Sequence, residues 1–131
     1  MEFLLRHSFL KSLFIILPSL LIFGNAFATN TSTGTNALSS LTTGSFNTAV
    51  GYESLYTNTS GSNNTAVGSK SLKLNTTGYG NTAIGDETME GNTTGYNNTA
   101  VGKNALQDNV TGYSNTAMGL FSMRLNTTGY E

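Results

Sequence analysis

Residues 64–80 read NTAVGSKSLKLNTTGYG, and residues 81–97 read NTAIGDETMEGNTTGYN. The same pattern recurs in both directions along the chain at a constant step, without insertions. A constant period of this kind is typical of repeat architectures, in which each unit packs against the unit before it. Six units are recognised, at residues 30–46, 47–63, 64–80, 81–97, 98–114 and 115–131.

The positions of the unit, called columns 1–17 below, have the consensus NTA[VIM]Gxx[AST][LM]xxN[TV][TS]G[YS]x. The first unit departs from it with Ser32 and Thr33 in columns 3 and 4 and Leu41 in column 12. Columns 5 and 15 are Gly in all six units and hold 12 of the 15 glycines of the chain. Glycine at a recurring position predicts a bend with positive φ or a close approach of another backbone. We therefore predict two bends per unit.

The distribution of charged and apolar residues predicts which columns face the core. All charges of the repeat region lie in columns 6, 7, 10, 11 and 17, whereas columns 8 and 9 combine a small residue with Leu or Met. Columns 2 and 4 alternate Thr with an aliphatic residue in most units. We predict that columns 4 and 9 point inward and that the variable pairs in columns 6–7 and 10–11 face water.

These patterns predict an all-β fold, a β-solenoid (parallel β-roll) of six 17-residue coils. Neighbouring coils would lie about 4.8 Å apart, and identical columns would form ladders. An alternative for columns 6–12 is a single helical turn per coil, although one turn alone is marginal as a helix. The tyrosines of column 16 form one predicted ladder, made of Tyr79, Tyr96, Tyr113 and Tyr130.

The predicted core is thin because its side chains are few and small. We therefore expect the solenoid to exist as a homo-oligomer, since its open ends would also expose unpaired strand edges. Columns 1 and 3 hold Asn and Ala in nearly every unit and carry no charge. We predict that these two columns form the face that packs against a neighbouring copy.

Residues 1–28 have the three parts of a secretory signal peptide: a basic start, an apolar run at residues 13–23, and small residues at Ala26 and Ala28. An uncleaved membrane anchor is the alternative, but a span needs roughly 20 apolar residues and this run is shorter. We predict cleavage after Ala28. The exported chain would then be residues 29–131, without a transmembrane segment and located outside the cell or on the outer-membrane surface.

Composition excludes several kinds of chemistry. The chain has no Cys, a single His (His7) and a net charge of −1. The absence of Cys excludes disulfides and thiolate metal sites, and removal of His7 with the signal peptide would leave no imidazole for a catalytic triad or a zinc site. A net charge near zero argues against a nucleic-acid partner. We predict that the protein is not an enzyme and has no catalytic, metal-binding or cofactor-binding residues.

Two sets of polar residues resemble sites but have simpler interpretations. Asp86, Glu87 and Glu90 form the carboxylate cluster, which we interpret as a solvated edge because no cleft is implied. A calcium ladder would need a GGxGxD signature, and Asp follows a recurring Gly only at Asp86. Column 12 contains Asn-x-Ser/Thr sequons, which we interpret as turn and ladder asparagines. These sequons begin at Asn58, Asn75, Asn92, Asn109 and Asn126.

Two ladders have both a binding and a packing interpretation. The tyrosines of column 16 are either a stacking platform for sugars or a partner, or side chains that pack within the stack. Ice-binding solenoids favour Thr-x-Thr on a flat face. The threonines of columns 13 and 14 are adjacent, so they would face opposite ways on a strand and do not have that spacing.

The block NNTAVG at residues 63–68 and 97–102 resembles the NSVAIG head motif of YadA-like trimeric autotransporter adhesins. It is also similar to the NTAVGxxALxxNTTGY repeats of bacterial surface proteins and phage tail-fibre-like proteins. The resemblance covers all six units and implies a left-handed parallel β-roll, three rolls side by side, that binds host matrix components. The 17-residue unit is longer than the adhesin motif, and Thr stands where that motif has Val.

From the repeat, the signal peptide and the resemblance we expect a secreted or cell-surface repeat protein that acts as an adhesin-head-like structural or binding rod. Its expected partners are copies of itself, as a homotrimer by resemblance, and a host matrix protein or glycan. The alternatives are a carbohydrate-binding or phage tail-fibre-like module, or a truncated remnant of a longer adhesin. The signal peptide favours the first hypothesis because phage fibres assemble in the cytoplasm.

Overall fold

The fold was obtained as a computed structural model, which describes residues 29–130. The signal peptide predicted for residues 1–28 lies outside the described residues, as does Glu131. Each of the six units contributes one strand of three residues, and the described chain contains no helix. The strands are β1 (Thr31–Thr33), β2 (Thr48–Val50), β3 (Thr65–Val67), β4 (Thr82–Ile84), β5 (Thr99–Val101) and β6 (Thr116–Met118).

The six strands form one parallel sheet in the order β1-β2-β3-β4-β5-β6. Thr65 of β3 pairs with Thr82 of β4, and every strand pair has this same offset of one repeat unit. Each column of the repeat is thus stacked on itself from coil to coil. This register confirms the predicted β-solenoid with one repeat unit per coil.

The segment between the strand and column 12 is a series of turns, so the alternative of a helical turn is wrong. In the second coil, Glu53 has φ 51° and Leu55 has φ 50°, and columns 7 and 9 have positive φ in every coil. A right-handed helical turn needs negative φ at both positions. The amide of Leu55 donates instead to the carbonyl of Ser71 in the next coil, at 3.0 Å. The bonds within the segment are those of single turns, such as the bond from the amide of Asn58 to the carbonyl of Leu55 at 3.2 Å, and the bonds between coils join these turns into a stack.

Column 3, and not column 4, points into the core from each strand. Ala66 and Ala83 are completely buried, whereas Ile84 is 41% exposed and Val50 is 36% exposed. Successive residues of a strand point to opposite sides, so an inward column 3 places columns 2 and 4 outside. The interior of so small a coil has room for the Ala methyl group beside Leu or Met of column 9. The prediction for column 9 is confirmed, and the prediction for column 4 is wrong.

The packing face predicted from columns 1 and 3 is also wrong. Asn64 and Asn81 of column 1 are fully buried, as are the alanines of column 3, so both columns line the interior of the coil. Their lack of charge reflects burial within one chain. A second copy of the chain could contact only the outward columns.

The bend predicted at column 5 is confirmed, whereas the bend predicted at column 15 is wrong, because that glycine column is a close approach without positive φ. Gly85 of column 5 has φ +138°, and a Cβ there would lie 2.8 Å from the carbonyl of Gly102 in the next coil. Gly95 of column 15 does not have positive φ, but a Cβ there would overlap Oδ1 of Asn92 and the carbonyl oxygen of Gly112. The first position requires an unusual conformation, and the second requires space.

Candidate functional site

The interior of the solenoid contains a ladder of column 1 asparagines. Nδ2 of Asn64 donates to Oδ1 of Asn47 in the preceding coil at 3.2 Å and to the carbonyl of Gly78 in its own coil at 2.8 Å. The main-chain amide of Asn64 donates to the same Oδ1 at 3.0 Å. The Asn64 side chain therefore joins two adjacent coils, and it also links the start of its own coil to the end of that coil. Burial of these amides is tolerated because their hydrogen bonds are satisfied.

The sequon asparagines of column 12 form a second buried ladder. Nδ2 of Asn75 donates to Oδ1 of Asn58 at 2.7 Å and to the carbonyl of Gly78 at 3.0 Å. The asparagines at 58, 75, 92 and 109 are completely buried, and only Asn126 in the last coil is partly exposed. A buried amide is inaccessible to a glycosyl donor. The geometry agrees with the interpretation of these residues as ladder asparagines.

Throughout residues 29–130, every buried side-chain nitrogen and oxygen has a hydrogen-bond partner. Column 8 contributes through its hydroxyl groups: Ser71 donates to the carbonyl of Ala83 at 3.0 Å, and Ser54 donates to that of Ala66 at 3.1 Å. The polar interior therefore holds the stack in register. It offers no unpaired buried group to a ligand among the described residues.

The charged side chains form ladders of alternating sign on the outside of columns 6, 7 and 10. Lys70 lies 3.1 Å from Glu87, Lys73 lies 2.9 Å from Glu53, and Lys103 lies 2.9 Å from Asp86. Each pair joins two adjacent coils. The Lys73 ammonium holds the pKa of the Glu53 carboxyl below its ordinary value, and Glu53 in turn raises the pKa of Lys73.

The three carboxylates of the cluster, Asp86, Glu87 and Glu90, have different hydrogen-bond and ion-pair partners. Asp86 pairs with Lys103, Glu87 accepts hydrogen bonds from Lys70 and Asn104, and the Glu90 carboxylate accepts one from Gln107 at 3.3 Å. The bonds from Asn104 and Lys70 lower the pKa of Glu87, so this group stays ionised and is a poor general acid. Residues 29–130 contain no group of three or more His, Cys, Asp or Glu side chains that could hold a metal ion.

The tyrosines of column 16 stack face to face along the solenoid. Ring centroids are 4.9 Å apart for Tyr79 and Tyr96, 5.0 Å for Tyr96 and Tyr113, and 5.1 Å for Tyr113 and Tyr130. The planes are within 9° of parallel. Ring faces inside this ladder are covered by neighbouring rings, so a sugar could stack only at the two ends. The packing interpretation is the one that the geometry supports.

Two uncharged surfaces run the length of the solenoid. We call the outward side chains of columns 14 and 16, such as Thr94 and Tyr96, the tyrosine face. We call the outward side chains of columns 2 and 4, such as Thr82 and Ile84, the strand face. The strand face was missed from the sequence because column 4 was predicted to be buried. The buried Ala of column 3 shows that columns 2 and 4 lie on the outer side of the strand.

The two ends of the stack differ in polarity. The first coil ends in the exposed polar strand Thr31–Thr33. The last coil exposes large apolar side chains, with Met118 at 72%, Leu120 at 65% and Leu125 at 77%. The guanidinium of Arg124 lies 5.4 Å from the centre of the Phe121 ring, a cation–π contact within this last coil.

Among residues 29–130 we find no helix with the length and apolar character needed to cross a membrane. Comparisons of the chain with protein-family models, with curated proteins and with solved structures find no match. The fold and its surfaces define a class of protein, the all-β solenoid repeat proteins. Any more specific assignment rests on the repeat and on its outward columns.

Proposed function

We propose that this chain is a secreted or cell-surface repeat protein that works as a structural or binding rod, similar to an adhesin head. The observation that carries the proposal is the constant register of one repeat unit per coil, which presents the same outward columns again in each coil. A partner with repeating features would meet many equivalent weak contacts, and multivalent contacts strengthen binding without a deep pocket. The resemblance to adhesin head repeats supports the same function.

The rod is a homo-oligomer in this proposal, a trimer by resemblance, and it packs through the tyrosine face. Columns 12–16 carry no charge in any unit, so this face can be covered by a neighbour without burying an ion. Tyrosine is enriched at protein interfaces because its ring supplies contact area and its hydroxyl finds a partner. Tyr79 and Tyr130 are 48% and 64% exposed, which leaves apolar area to bury.

Sedimentation velocity of the purified protein tests this proposal. We expect a complex of three chains at micromolar concentration. Thr94→Lys adds a charge to the tyrosine face at an exposed side chain and should weaken association at least about tenfold, roughly 1.4 kcal/mol. Thr35→Lys, at the exposed Thr35 of column 6, is the matched control and should sediment like the wild type. A folded wild-type monomer, or equal weakening in both variants, would contradict the proposal.

The partner outside the oligomer is a host matrix protein or a glycan. Immobilised extracellular-matrix proteins and a glycan array, probed with the oligomer and with the Thr94→Lys variant, separate these two classes. Binding that depends on the oligomer supports a rod that acts by multivalency. Equal binding of single chains to one sugar would favour the alternative of a carbohydrate-binding module.

A further inference from the structure

We propose that the strand face binds ice. This face contains two parallel rows of side chains, one in column 2 and one in column 4, separated by the inward column 3. Column 2 is Thr in all six coils, and column 4 is β-branched in five of the six. The threonines of columns 13 and 14 are adjacent in sequence. Columns 2 and 4, in contrast, have the spacing of a Thr-x-Thr pattern and both point outward. β1 has Thr at both positions, and β2 to β6 combine Thr with Val, Ile or Met.

The spacing of the two rows is regular in both directions. Along the solenoid the repeat is the distance between coils, about 4.8 Å between parallel strands. The stacked tyrosine rings have nearly the same spacing, 4.9 to 5.1 Å. Along each strand the rows are two positions apart, about 6.6 Å at roughly 3.3 Å per residue. This nearly rectangular mesh of hydroxyl and methyl groups is close to the arrangement of water oxygens on the prism faces of hexagonal ice.

The electrostatic character of the face also matches that of ice. Ice presents a neutral array of hydrogen-bond donors and acceptors, and a Thr hydroxyl can act as either. Columns 1–5 carry no charge in any unit, and the nearest charged side chains, Asp86 and Lys103 of column 6, follow the glycine bend. A charge on this face would hold its own hydration shell and disturb an ordered water layer. The face is therefore complementary to a neutral lattice and unsuited to an ionic partner.

The backbone beneath the face is held rigidly. The strands pair in register without a bulge, and the amide of Thr82 donates to the carbonyl of Asn98 in the next coil at 2.8 Å. The inward side chains are identical Ala methyl groups from β2 to β6, so nothing bends one strand away from its neighbours. β-Branched side chains such as Thr82 and Ile84 also have few χ1 rotamers. Side chains that are already ordered lose less conformational entropy on binding than mobile side chains do.

This inference goes beyond the proposed rod function and uses a different surface. The tyrosine face and the strand face belong to different segments of the coil, and a turn through column 17 separates them. On the segment that carries the strand face, Asn81 and Ala83 point into the interior, and Thr82 and Ile84 point outward. A trimer that packs through the tyrosine face leaves the strand face available. Sedimentation therefore tests the first proposal, and ice binding tests the second.

The test is partition of the purified, fluorescently labelled protein into a slowly growing ice hemisphere, together with inhibition of ice recrystallisation. We expect the wild type to be incorporated into the ice and to keep the crystals small. Thr99→Lys places a charge at an exposed position of the strand face and should abolish both effects. Ile84→Lys, at a second exposed position, should do the same.

Thr35→Lys is the matched control, with the same substitution at an exposed Thr outside both faces, and it should keep the wild-type behaviour. Thermal unfolding confirms that each variant is folded, and Val101→Thr, which creates a Thr-x-Thr strand without adding a charge, should retain ice binding. Exclusion of the wild type from ice would overturn the proposal. It would also be overturned if the two Lys variants on the strand face stayed bound, or if Thr35→Lys lost binding equally.

Discussion

The side-chain amide of Asn81 donates to Oδ1 of Asn64 in the preceding coil at 3.2 Å and to the carbonyl of Gly95 in its own coil at 2.8 Å. Oδ1 of Asn81 accepts two hydrogen bonds from Asn98, from its main-chain amide at 3.0 Å and from Nδ2 at 3.1 Å. One buried residue thus connects three consecutive coils. Polar side chains contribute to the interior of this protein as structural elements alongside Ala and Leu.

Asn81→Ala should therefore lower the free energy of unfolding by about 3 kcal/mol or more, because each buried polar group left without a partner costs about 1–3 kcal/mol. Urea denaturation measures the change. Thr35→Ala, at an exposed position outside both faces, should stay within about 0.5 kcal/mol of the wild type. A similar loss in both variants would show that the asparagine ladder does not stabilise the stack.

Two leucines of the third coil offer a matched comparison of core and surface. Leu72 is completely buried, whereas Leu74, in the same turn, is 43% exposed. Leu72→Ala should cost about 2–5 kcal/mol by removing core contacts, and Leu74→Ala should change stability by no more than about 0.5 kcal/mol. Denaturant unfolding distinguishes them. A larger loss for Leu74→Ala would mean that the Leu74 side chain is covered by another chain in solution.

Gly85→Val should lower the melting temperature far more than Asp86→Ser. At Gly85, φ is +138° and a Cβ would lie 2.8 Å from the next coil, so strain alone costs on the order of 1–3 kcal/mol. Asp86→Ser removes an ion pair whose side chains are about half exposed, and such pairs contribute about 0–1 kcal/mol. Calorimetry compares the two variants. Equal melting temperatures would remove the argument for a constrained bend in column 5.

Stability should fall as the pH is lowered through the acidic range. The pKa values of Glu53 and Glu87 are below the ordinary Glu value, the first because of Lys73 and the second because of Asn104 and Lys70. The unfolded state takes up protons first on acidification, so the stabilisation is present above the ordinary Glu pKa and is lost as pH falls through the folded pKa. Urea midpoints between neutral and acidic pH measure this loss.

Glu53→Gln should make the acid part of that profile shallower, because one of the two shifted carboxyls is gone. High salt should have a similar effect on the wild type, since both ion pairs are partly exposed to solvent. The raised pKa values of Lys70 and Lys73 have the opposite sign: their contribution persists to alkaline pH and is lost as pH rises through those values. If stability fell with pH as steeply in Glu53→Gln as in the wild type, Glu53 would not be one of the carboxyls responsible for the acid dependence.

The exported protein should begin at Thr29, because Ala26 and Ala28 are the small residues that the signal peptidase requires. N-terminal sequencing of material from outside the inner membrane measures the start. Ala28→Arg should block cleavage at this position and leave the precursor in the membrane fraction. A wild-type chain that starts at Met1 in that fraction would support the uncleaved anchor instead.

The register of the coils could be predicted from the sequence because a solenoid repeats its geometry with its sequence period. The outward charges and the Leu of column 9 followed from the same alignment, as did the two glycine constraints. These features depend on which residue type recurs at a position, and a single chain with six units displays that directly.

The direction of column 4 and the role of the asparagines depended on contacts between coils. A strand as short as Thr82–Ile84 does not show by its own alternation which side is buried, because Thr, Ala and Ile fit either orientation. The partners of Asn81 lie in the preceding coil and at the far end of its own coil, so no local pattern reveals that its amide is satisfied inside the coil.

The sequence by itself determined the number of coils, their register and the bend at the column 5 glycines. Only the tertiary structure decided which residues fill the narrow interior. That choice depends on the space inside each coil, between its strand and its turns, and on hydrogen bonds to the neighbouring coil.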